Sequence, residues 1–581
     1  MEDPDQSARP APDPAAGPAA DAGTAGEPGT TRRFRQVAER VLDALLEASP
    51  EKATVLGDHR FDDRLDDLTA AGAQHRAALL RDAVGALDDL DDTALPVPDR
   101  VDLEILRTAV ARDLWELEEL REHERDPLAH LPGDALYPLV ARAAADPDAR
   151  LQALTARMAA VPHRLAAARD LLHDMSRVHV ETAILQARGT VGLLTTDLEP
   201  LLEAVPTLRA PTAAARDAAL AALTEHTAWL EAQLPVSDGD PRLGEQQYGA
   251  RLWYTLDTET SPDVLLTRAE SDLQAVEEEI AEVASRIAGA PPRAGLVREV
   301  LDRLAQAAPV DDTTILPMCE QALERMTRRV RQLDLVSVPD DPVQVIVMPP
   351  SRRGVAVAYC DSPGPLEPPG PGGAPLPALF AVSPTPEEWT GEQVASFYRE
   401  YNGELLRTLT VHEAMPGHVL QQAHAGRYRG ATRVRQAQSS PAFVEGWAVY
   451  AEALVAHAGL GLGPAVDDAL RMQQLKMQLR STINAILDVR VHARGMTRDE
   501  AMELMTGRGH QELGEAAGKW RRALLTSAQL STYYVGYREV RDVVRRLKNA
   551  RPAWGERQLH DAVLAHGSPP PRHLRTLLGL D

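Results

Sequence analysis

Apolar residues recur at intervals of three and four along most of the chain from Arg33 onward, and this spacing predicts α-helices. Two clear apolar stripes run from Val37 to Leu46 and from Leu103 to Leu117. Further helices are predicted at about 147–175, 211–234, 262–288, 293–307 and 312–333. Alanine and leucine dominate these segments and aromatic residues make up only 4% of the chain, which favours helix-on-helix packing over a sheet.

The helical pattern is interrupted by short alternating or β-branched runs, which predict strands at 343–348, 355–359 and 378–382. The proline- and glycine-rich connection at 362–377 cannot be helical. Helices resume at about 386–424 and continue almost to the C-terminus. We therefore predict a mainly α fold, in which a large multi-helix domain carries a small inserted β-sheet of about three strands. The sheet is expected next to the helix of the candidate metal site.

The chain is expected to have a disordered tail at residues 1–30, because Pro, Ala, Gly, Asp and Thr dominate there and large apolar side chains are almost absent. We divide the rest into an N-terminal helical region, 31–340, and a metal-site region, 341–581, which together form one continuous catalytic fold. The N-terminus shows neither the basic nor the apolar run of a signal peptide. The location predicted from the sequence is therefore the cytoplasm.

Charge and cysteine content exclude several classes of protein. The chain has 62 Lys and Arg against 86 Asp and Glu, a net charge of −24, so neither nucleic acids nor other polyanions are expected partners. The two cysteines exclude a disulfide scaffold and a four-cysteine zinc site. No apolar stretch reaches the roughly 18–20 residues of a membrane helix, so no membrane partner is expected. The sequence leaves the oligomeric state open.

The segment with the clearest chemistry is 410–421, which contains His412, Glu413 and His418. A His-Glu pair close to a second histidine is typical of a zinc hydrolase, in which neutral imidazoles bind the metal and the carboxylate accepts a proton from the attacking water. We therefore predict one Zn²⁺ ion as cofactor, with His412 and His418 as ligands and Glu413 as general base. Other divalent metals are possible at such a site.

The spacing of the two histidines departs from the usual one. Ligands on one helical face are four residues apart, whereas His412 and His418 are six apart, which is about 600° around an ideal helix. Pro416 would remove a helical hydrogen bond, and Gly417 would permit an unusual backbone conformation at the next step. We expect a break there that returns His418 to the side of His412.

A downstream helix at 441–452 supplies the predicted third ligand. Glu445 and Glu452 are seven residues apart and share one face of this largely apolar helix. A carboxylate in such a setting needs a partner, and a metal ion is the strongest one. We predict Glu445 as the ligand, and Glu452 either as an acceptor that orients a ligand histidine or as an exposed acid. His424, six residues after His418, is a competing ligand.

The motif His-Glu-x-x-Pro-Gly-His-x-x-Gln at 412–421, followed by Glu-Gly-Trp-Ala at 445–448, resembles the bacterial family called domain of unknown function 885. That family is regarded as zinc-metallopeptidase-like and is similar to the gluzincin peptidases, whose third ligand is a downstream glutamate. The resemblance extends from about residue 33 to the C-terminus. This sequence has Val419 where the family commonly has a second histidine, and Gln529 lacks a preceding Pro-Gly. Three later patches also match: Asp488-x-x-x-His492, Gly495-Met496-Thr497 and Gln529-x-x-x-Tyr533-x-x-Gly536.

Amide hydrolysis also needs a donor for the tetrahedral oxyanion. The helix predicted at 526–540 offers several candidates: Tyr533, Tyr534, Tyr537 and Arg538. The resemblance favours Tyr533, while Arg538 could instead bind a substrate carboxylate. Asp488 and His492 lie one turn apart and could hydrogen-bond, which makes His492 a second catalytic candidate supported by Asp488. Arg480, on the same predicted helix, is either solvated or close to an anionic group.

The function predicted from these residues is zinc-dependent hydrolysis of amide bonds, with a peptide or small amide as substrate. Glu413 would act first as general base and then as the acid that protonates the leaving amine. An amidase, a tailoring enzyme of small-molecule biosynthesis and a metal-stabilised scaffold without activity are the alternatives. A di-iron oxidase is disfavoured because no histidine follows a glutamate by three residues. A Cys360 nucleophile is disfavoured because Asp361 would raise the pKa of the thiol.

Two further features follow from the strand predictions. The run 378–382 could form an edge strand that pairs with an extended substrate, or it could be an ordinary strand of the sheet. The loop 361–377 lies before it and could act as a lid over the same cleft.

Overall fold

The structure is a computed structural model that describes residues 28–142, 145–349, 357–370, 373–386 and 389–580. The tail predicted at 1–30 therefore lies almost entirely outside the described residues. The mainly α fold is confirmed, and so is the small three-stranded sheet inserted before the helix of the candidate metal site. None of the described helices combines the length and the apolar character needed to cross a membrane.

Thirteen described helices precede the sheet. They are α1 Gly29–Glu47, α2 Pro50–Leu56, α3 Ala70–Asp88, α4 Val97–Trp115, α5 Gly133–Ala141, α6 Pro147–Leu171, α7 Arg177–Gly192, α8 Glu199–Ala204, α9 Pro206–Gln233, α10 Gly244–Leu256, α11 Pro262–Ala288, α12 Leu296–Ala307 and α13 Ile315–Gln332. Short 3-10 and π-helical turns lie at His59–Phe61, Glu116–Leu120, Glu122–Glu124, Pro127–His130, Leu193–Asp197, Leu234–Val236 and Leu504–Arg508.

The remaining described elements are three strands and eleven helices. The strands are β1 Val343–Val347, β2 Ala358–Asp361 and β3 Ala378–Val382. The helices are α14 Gly391–Glu400, α15 Gly403–Glu413, α16 His418–Arg427, α17 Val434–Ala437, α18 Pro441–Ala458, α19 Pro464–Arg494, α20 Arg498–Glu503, α21 Leu513–Leu525, α22 Ser531–Ala550, α23 Glu556–Leu564 and α24 Pro571–Leu577.

The sheet has the strand order β1-β3-β2, so β3 is its central strand. β3 runs parallel to β1, with Ala378 opposite Val343, and antiparallel to β2, with Val382 opposite Ala358. Of the two interpretations of 378–382, the structure has the ordinary strand of the sheet and not the edge strand, because both of its edges are paired. Within the described residues, β2 pairs with β3 alone, and it is the strand that borders the cleft described below.

Side-chain caps determine where the helices of the site begin. The Asn402 carboxamide oxygen accepts hydrogen bonds from the backbone N–H groups of Glu404 and Leu405 at the start of α15, at 3.1 and 3.2 Å. At the start of α18, the Ser440 hydroxyl accepts from the N–H of Phe443 at 3.3 Å. These caps satisfy N–H groups that the first helical turn leaves unpaired. They fix locally where α15 and α18 start.

Two clusters of buried apolar side chains form the core around the site. The first joins α13, the sheet, α15, α18 and α23, with the fully buried Phe380 and Trp447 among its members. The second joins α10, α11, α12 and α19. α22 belongs to both, since Tyr534 packs in the second cluster and Val540 in the first. Its side chains are thereby held between the two cores.

α18 and α22 cross at two glycines. A Cβ at Gly446 would lie 2.3 Å from the backbone carbon of Gly536, and a Cβ at Gly536 would lie 1.9 Å from the carbonyl oxygen of Ala442. Only glycine permits backbones to approach this closely. The crossing places Tyr533, one turn before Gly536, near Glu445, which directly precedes Gly446.

Gly536→Ala is expected to destabilise the folded protein by about 1–3 kcal/mol, because the new methyl group would force α18 and α22 apart. A lower Tm in a thermal unfolding scan is the measurement. Gly85→Ala is the matched control: Gly85 also lies inside a helix, but a Cβ there meets nothing within 4 Å. An equal Tm for Gly536→Ala and the wild type would show that the close crossing is not required.

Candidate metal centre

The break between α15 and α16 brings the two histidines of the motif together. His412 and Glu413 end α15, and His418 is the first residue of α16. The His412 and His418 rings lie 4.7 Å apart between centroids, at 85° to each other. A Cβ on Gly417 would be 1.9 Å from the carbonyl oxygen of His412, so the turn needs glycine at that position.

A hydrogen bond from α18 also stabilises this turn. The indole N–H of Trp447 donates a hydrogen bond to the carbonyl oxygen of Pro416 at 2.8 Å, and both groups are buried. Trp447 lies two residues after Glu445, so the Glu-Gly-Trp segment supplies an acidic side chain and an anchor for the histidine turn from a single helix. The two sequence motifs therefore form one structural unit.

Glu445 completes a group of three side chains suited to a metal ion. Its Oε2 lies 3.5 Å from Nε2 of His412 and 3.5 Å from Nε2 of His418. The three candidate ligand atoms are all within 4.8 Å of one another. Among the described residues, Glu445 Oε2 is buried without a hydrogen-bond partner. A buried carboxylate oxygen that faces two imidazole nitrogens fits a divalent cation such as zinc.

The electrostatics of the group also favour a cation. Burial alone would raise the pKa of the Glu445 carboxyl, but His412 and His418 outweigh burial and lower it, so Glu445 is ionised. Burial disfavours the protonated form of His412, yet the carboxylates of Glu445 and Glu452 outweigh it and raise the pKa of this imidazole. Glu445 and Glu452 therefore place negative charge beside the His412 imidazole, as a site for a cation requires.

Glu452 contacts the other nitrogen of His412. Its Oε1 lies 2.7 Å from His412 Nδ1, and the glutamate is buried. A carboxylate in this position fixes a hydrogen on Nδ1 and leaves Nε2, which faces Glu445, free to bind a metal. Glu452 is therefore not the exposed acid considered from the sequence, but a buried acid in contact with His412.

Glu452→Gln is expected to weaken zinc binding by about 10- to 100-fold, because the amide keeps an acceptor for His412 but loses the negative charge. Competition titration against a chromogenic chelator measures the affinity. Glu503→Gln, at an exposed position of α20, serves as the control. An unchanged zinc affinity in Glu452→Gln would remove Glu452 from the account of the site.

The candidate base lies beside the candidate ligands. Glu413 follows His412, is largely buried and lines a cleft of about 900 Å³ that also exposes His412, His418 and Glu445. Cys360, on β2, lines the same cleft, but burial and the neighbouring Glu413 raise the pKa of its thiol far above the usual value. A thiol of that kind is not ionised at neutral pH and is a poor nucleophile.

Tyr533 is the tyrosine of α22 that borders the centre. Its ring lies 6.3 Å from that of His412 between centroids, and its hydroxyl oxygen accepts hydrogen bonds from Arg522 at 2.9 Å and Gln529 at 3.4 Å. Because both neighbours donate, the hydroxyl hydrogen is available to another acceptor. Burial, followed by the charge of Glu445, raises the pKa of Tyr533, so the hydroxyl is protonated at neutral pH.

The other candidates on α22 point elsewhere. The Tyr534 hydroxyl donates to Asp272 at 2.7 Å, and Arg538 forms an ion pair with the same carboxylate. Arg538 is exposed, and together with Tyr534 and Tyr537 it lines a separate cavity of about 530 Å³. The structure therefore does not bring Arg538, predicted to bind substrate, to the candidate metal centre.

His492 is likewise remote from the described lining of the cleft. Its Nε2 donates to the carbonyl oxygens of Ala523 and Thr526, both at 2.9 Å, and its ring stacks on Tyr248 with 5.6 Å between centroids. Its Nδ1 has no hydrogen-bond partner among the described residues, so the expected bond to Asp488 is absent there. A buried imidazole bonded to backbone has a structural role, and catalysis by His492 is not supported.

Asp488 is occupied in the same way. Its carboxylate accepts hydrogen bonds from the N–H groups of Ala528 and Ser531, both at 3.0 Å, and from the Ser531 hydroxyl at 2.6 Å. Asp488 and His492 thus both hold the segment between α21 and α22. That segment sets the position of α22 and so of Tyr533, which explains why these residues accompany the motif without facing the cleft.

Two other sequence-based candidates are also remote. His424 Nε2 is bonded to the carbonyl oxygen of Ser337 at 2.8 Å and is not part of the ligand group. The described part of the loop predicted as a lid docks on the N-terminal helices instead: the N–H of Leu366 donates to Leu56 at 2.9 Å, and Glu367 contacts His59 at 2.7 Å. No described residue of this loop lines the cleft.

One wall of the cleft carries charged residues that the sequence motifs did not include. They are Glu400, Arg480, Glu512, Glu515, Lys519 and Arg522, from α14, α19, α21 and the residue before α21. Arg480 is mostly enclosed, with 13% of its side chain exposed, and it is paired with Glu515, so it is not the solvated arginine considered from the sequence. The scarcity of lysine could have indicated these residues from the sequence. The chain has four lysines, and two of them, Lys476 and Lys519, are buried near this wall.

The fold and the site define a helical protein with a His-His-Glu candidate metal centre beside an open cleft. The family described as "Bacterial protein of unknown function (DUF885)" matches residues 50–578. This chain therefore belongs to that bacterial family, as the motifs predicted. A search among curated proteins finds no match.

Solved structures share the fold. "A putative lipoprotein of unknown function from Shewanella oneidensis" is 26% identical, with a TM-score of 0.76 over 94% of this chain and 99% of that chain. "The putative lipoprotein from Colwellia psychrerythraea" is 15% identical, with a TM-score of 0.75 over 95% of this chain and 100% of the other, which shows a shared fold alone. Trypanosoma cruzi metallocarboxypeptidase 1 aligns at 11% identity with a TM-score of 0.39 over 95% and 96% of the two chains, too weak for any conclusion.

The predicted cytoplasmic location is contradicted by these comparisons, because both of the similar bacterial structures are of proteins described as lipoproteins. The physical reason for the error is that the folded part of a chain does not encode its compartment. Short targeting or lipid-attachment signals do so.

Proposed function

We propose that this protein is a zinc-dependent hydrolase of amide bonds, acting as a peptidase on small peptides. The observation that carries the proposal is the buried group of His412, His418 and Glu445, with an unbonded carboxylate oxygen at its centre and one side open to the cleft. A bound zinc ion would supply a Lewis acid and lower the pKa of water at the site.

The number of ligands supports a catalytic site over a structural one. Structural zinc sites are usually closed by four protein ligands, whereas catalytic sites have three and leave a position open. Among the described residues, the ligand group contains three members. Glu413 lies next to the group but lines the cleft, as expected of a base rather than a fourth ligand.

The other residues of the site have complementary roles in the proposed reaction. Glu413 accepts a proton from the attacking water and passes it to the leaving amine, which its place beside His412 permits. Tyr533 is protonated and has its hydrogen available, so it donates to the oxyanion that forms on the former carbonyl oxygen. Glu452 holds His412 in the orientation that binding requires.

The edge strand beside the cleft supports an extended peptide as substrate. Residues 357–360 on and beside β2 line the cleft, and within the described residues β2 pairs on one side only. An edge strand can hydrogen-bond to an extended peptide backbone without reading its side chains. We therefore assign the pairing with substrate to β2 instead of β3.

The proposal is tested by metal analysis of the purified protein together with hydrolysis of a mixed peptide library followed by mass spectrometry. We expect about one zinc ion per chain, as a three-ligand site implies, and cleavage that chelation abolishes and zinc restores. Zinc binding without cleavage of any peptide, but with hydrolysis of small non-peptide amides, would favour the amidase alternative. Zinc binding with no amide hydrolysis at all would leave the scaffold alternative.

A further inference from the structure

Two cations of α21 face the cleft without a carboxylate partner of their own. The Arg522 side chain donates to the Tyr533 hydroxyl at 2.9 Å and to the Gln529 carboxamide oxygen at 2.8 Å, both neutral groups. Among the described residues, no carboxylate lies within ion-pair distance of its guanidinium group. Arg522 is nevertheless largely enclosed and lines the cleft.

Lys519 lies one turn before Arg522 and is only 7% exposed. Its ammonium nitrogen is 4.0 Å from Glu515 Oε1, but that carboxylate already binds Arg480 and the Tyr401 hydroxyl. Burial, together with the positive charges of Arg480 and Arg522, lowers the pKa of Lys519. A buried amine surrounded by cations is a costly arrangement that an anionic ligand would relieve.

The neighbouring carboxylates of this wall cannot relieve it, because other cations already hold them. Glu400 pairs with Lys476 at 3.0 Å, and Glu512 pairs with Arg399 at 2.9 Å. Glu445, which also lines the cleft, faces the two histidines. The wall therefore carries a guanidinium group, that of Arg522, and a buried amine, that of Lys519, which have no carboxylate of their own, in a protein whose net charge is −24.

Arg522 lies close to the candidate metal centre. Arg522 is hydrogen-bonded to Tyr533, and the Tyr533 ring lies 6.3 Å from the ring of His412. Tyr533 thus lies between the Arg522 guanidinium group and the imidazole of His412. An extended peptide advances about 3.3–3.6 Å per residue, so one or two residues span such an interval.

We propose that Lys519 and Arg522 bind the terminal carboxylate of a peptide, so that the protein is a carboxypeptidase that removes one or two residues. This inference rests on the proposed function, and it names the class of substrate. One water is consumed: the amide C–N bond breaks, the carbonyl carbon gains a hydroxyl group, and the leaving amine gains a proton. Arginine binds a carboxylate through paired donors, and Lys519 adds a point charge beside it.

A binding experiment on an inactive variant tests the carboxylate subsite independently of hydrolysis. The zinc-loaded Glu413→Gln protein is titrated by calorimetry with an N-acetylated pentapeptide that has a free terminal carboxylate, and with its C-terminal amide. We expect the free acid to bind at least 10-fold more tightly, and Lys519→Met in the same background to reduce that ratio toward one. Arg521→Gln is the matched control, since Arg521 is the exposed neighbour of Arg522 and does not line the cleft.

The outcomes are distinct. Equal binding of acid and amide overturns the carboxylate subsite, even if the wild type hydrolyses peptides. Preference for the acid in an inactive wild type upholds the subsite and overturns the proposed hydrolysis. Equally tight binding of an amidated peptide with a penultimate glutamate would show that the subsite reads a side-chain carboxylate, which also overturns the assignment to the terminus. In an active wild type, mass spectrometry of the products then shows whether one or two residues leave.

Discussion

Glu413→Gln is expected to lower kcat for peptide hydrolysis by about 10²- to 10⁴-fold, the contribution typical of a general base. The amide can still hydrogen-bond to a water molecule but cannot accept its proton. Zinc content should remain that of the wild type, because His412, His418 and Glu445 are unchanged. Steady-state kinetics on a cleaved library peptide and metal analysis of the same sample give the two values.

The matched control for this substitution is Glu404→Gln on the same helix. Glu404 is paired with Arg407 and lies outside the described lining of the cleft, so its loss should change neither zinc content nor kcat. Retention of full activity by Glu413→Gln would exclude Glu413 as the base. Loss of zinc in Glu413→Gln would instead show that this carboxylate is needed to hold the metal.

His418→Ala is expected to weaken zinc binding by more than 100-fold, beyond the range typical of a residue that supports a ligand, and to abolish hydrolysis. Only two protein ligands would remain, and His418 Nε2 is one of the two nitrogens that face Glu445. Atomic absorption after dialysis against a weak chelator measures the zinc retained. Circular dichroism checks that the helical fold is intact.

His424→Ala provides the comparison for His418→Ala within the same helix. His424 repeats the six-residue spacing but contacts the carbonyl oxygen of Ser337, so its substitution should leave zinc binding unchanged. If His418→Ala retained zinc and His424→Ala lost it, the described turn at Gly417 would not represent the metal-binding conformation.

Local patterns in the sequence determined most of the elements. The predicted helix 262–288 is α11 Pro262–Ala288, and the predicted strand 378–382 is β3. Of the strand predicted at 355–359, residues 355 and 356 lie outside the described residues, and residues 358 and 359 begin β2 Ala358–Asp361. Such agreement is expected because helix and strand periods are local properties, fixed by side chains a few residues apart.

The proximity of His412, His418 and Glu445 could also be predicted, because both parts of this candidate metal centre are local patterns. The His-Glu-x-x-Pro-Gly-His segment contains two histidines and the break that joins them. Glu445 and Glu452 share a helical face, and the structure directs them to Nε2 and Nδ1 of the same imidazole, that of His412. A carboxylate on an apolar helix needs a partner, and this requirement alone points to Glu445 and Glu452 as residues of the site.

The tertiary structure alone decided which faces of distant helices meet. His492 and Tyr533 were comparable candidates in the sequence, yet one is bonded to backbone carbonyls and the other borders His412. The lack of carboxylate partners for Lys519 and Arg522 is equally invisible in the sequence, because Glu400 and Glu515 are paired with Lys476 and Arg480 of another helix. Periodicity specifies that a residue lies on a face, but the partner of that face is set by packing between elements far apart in the chain.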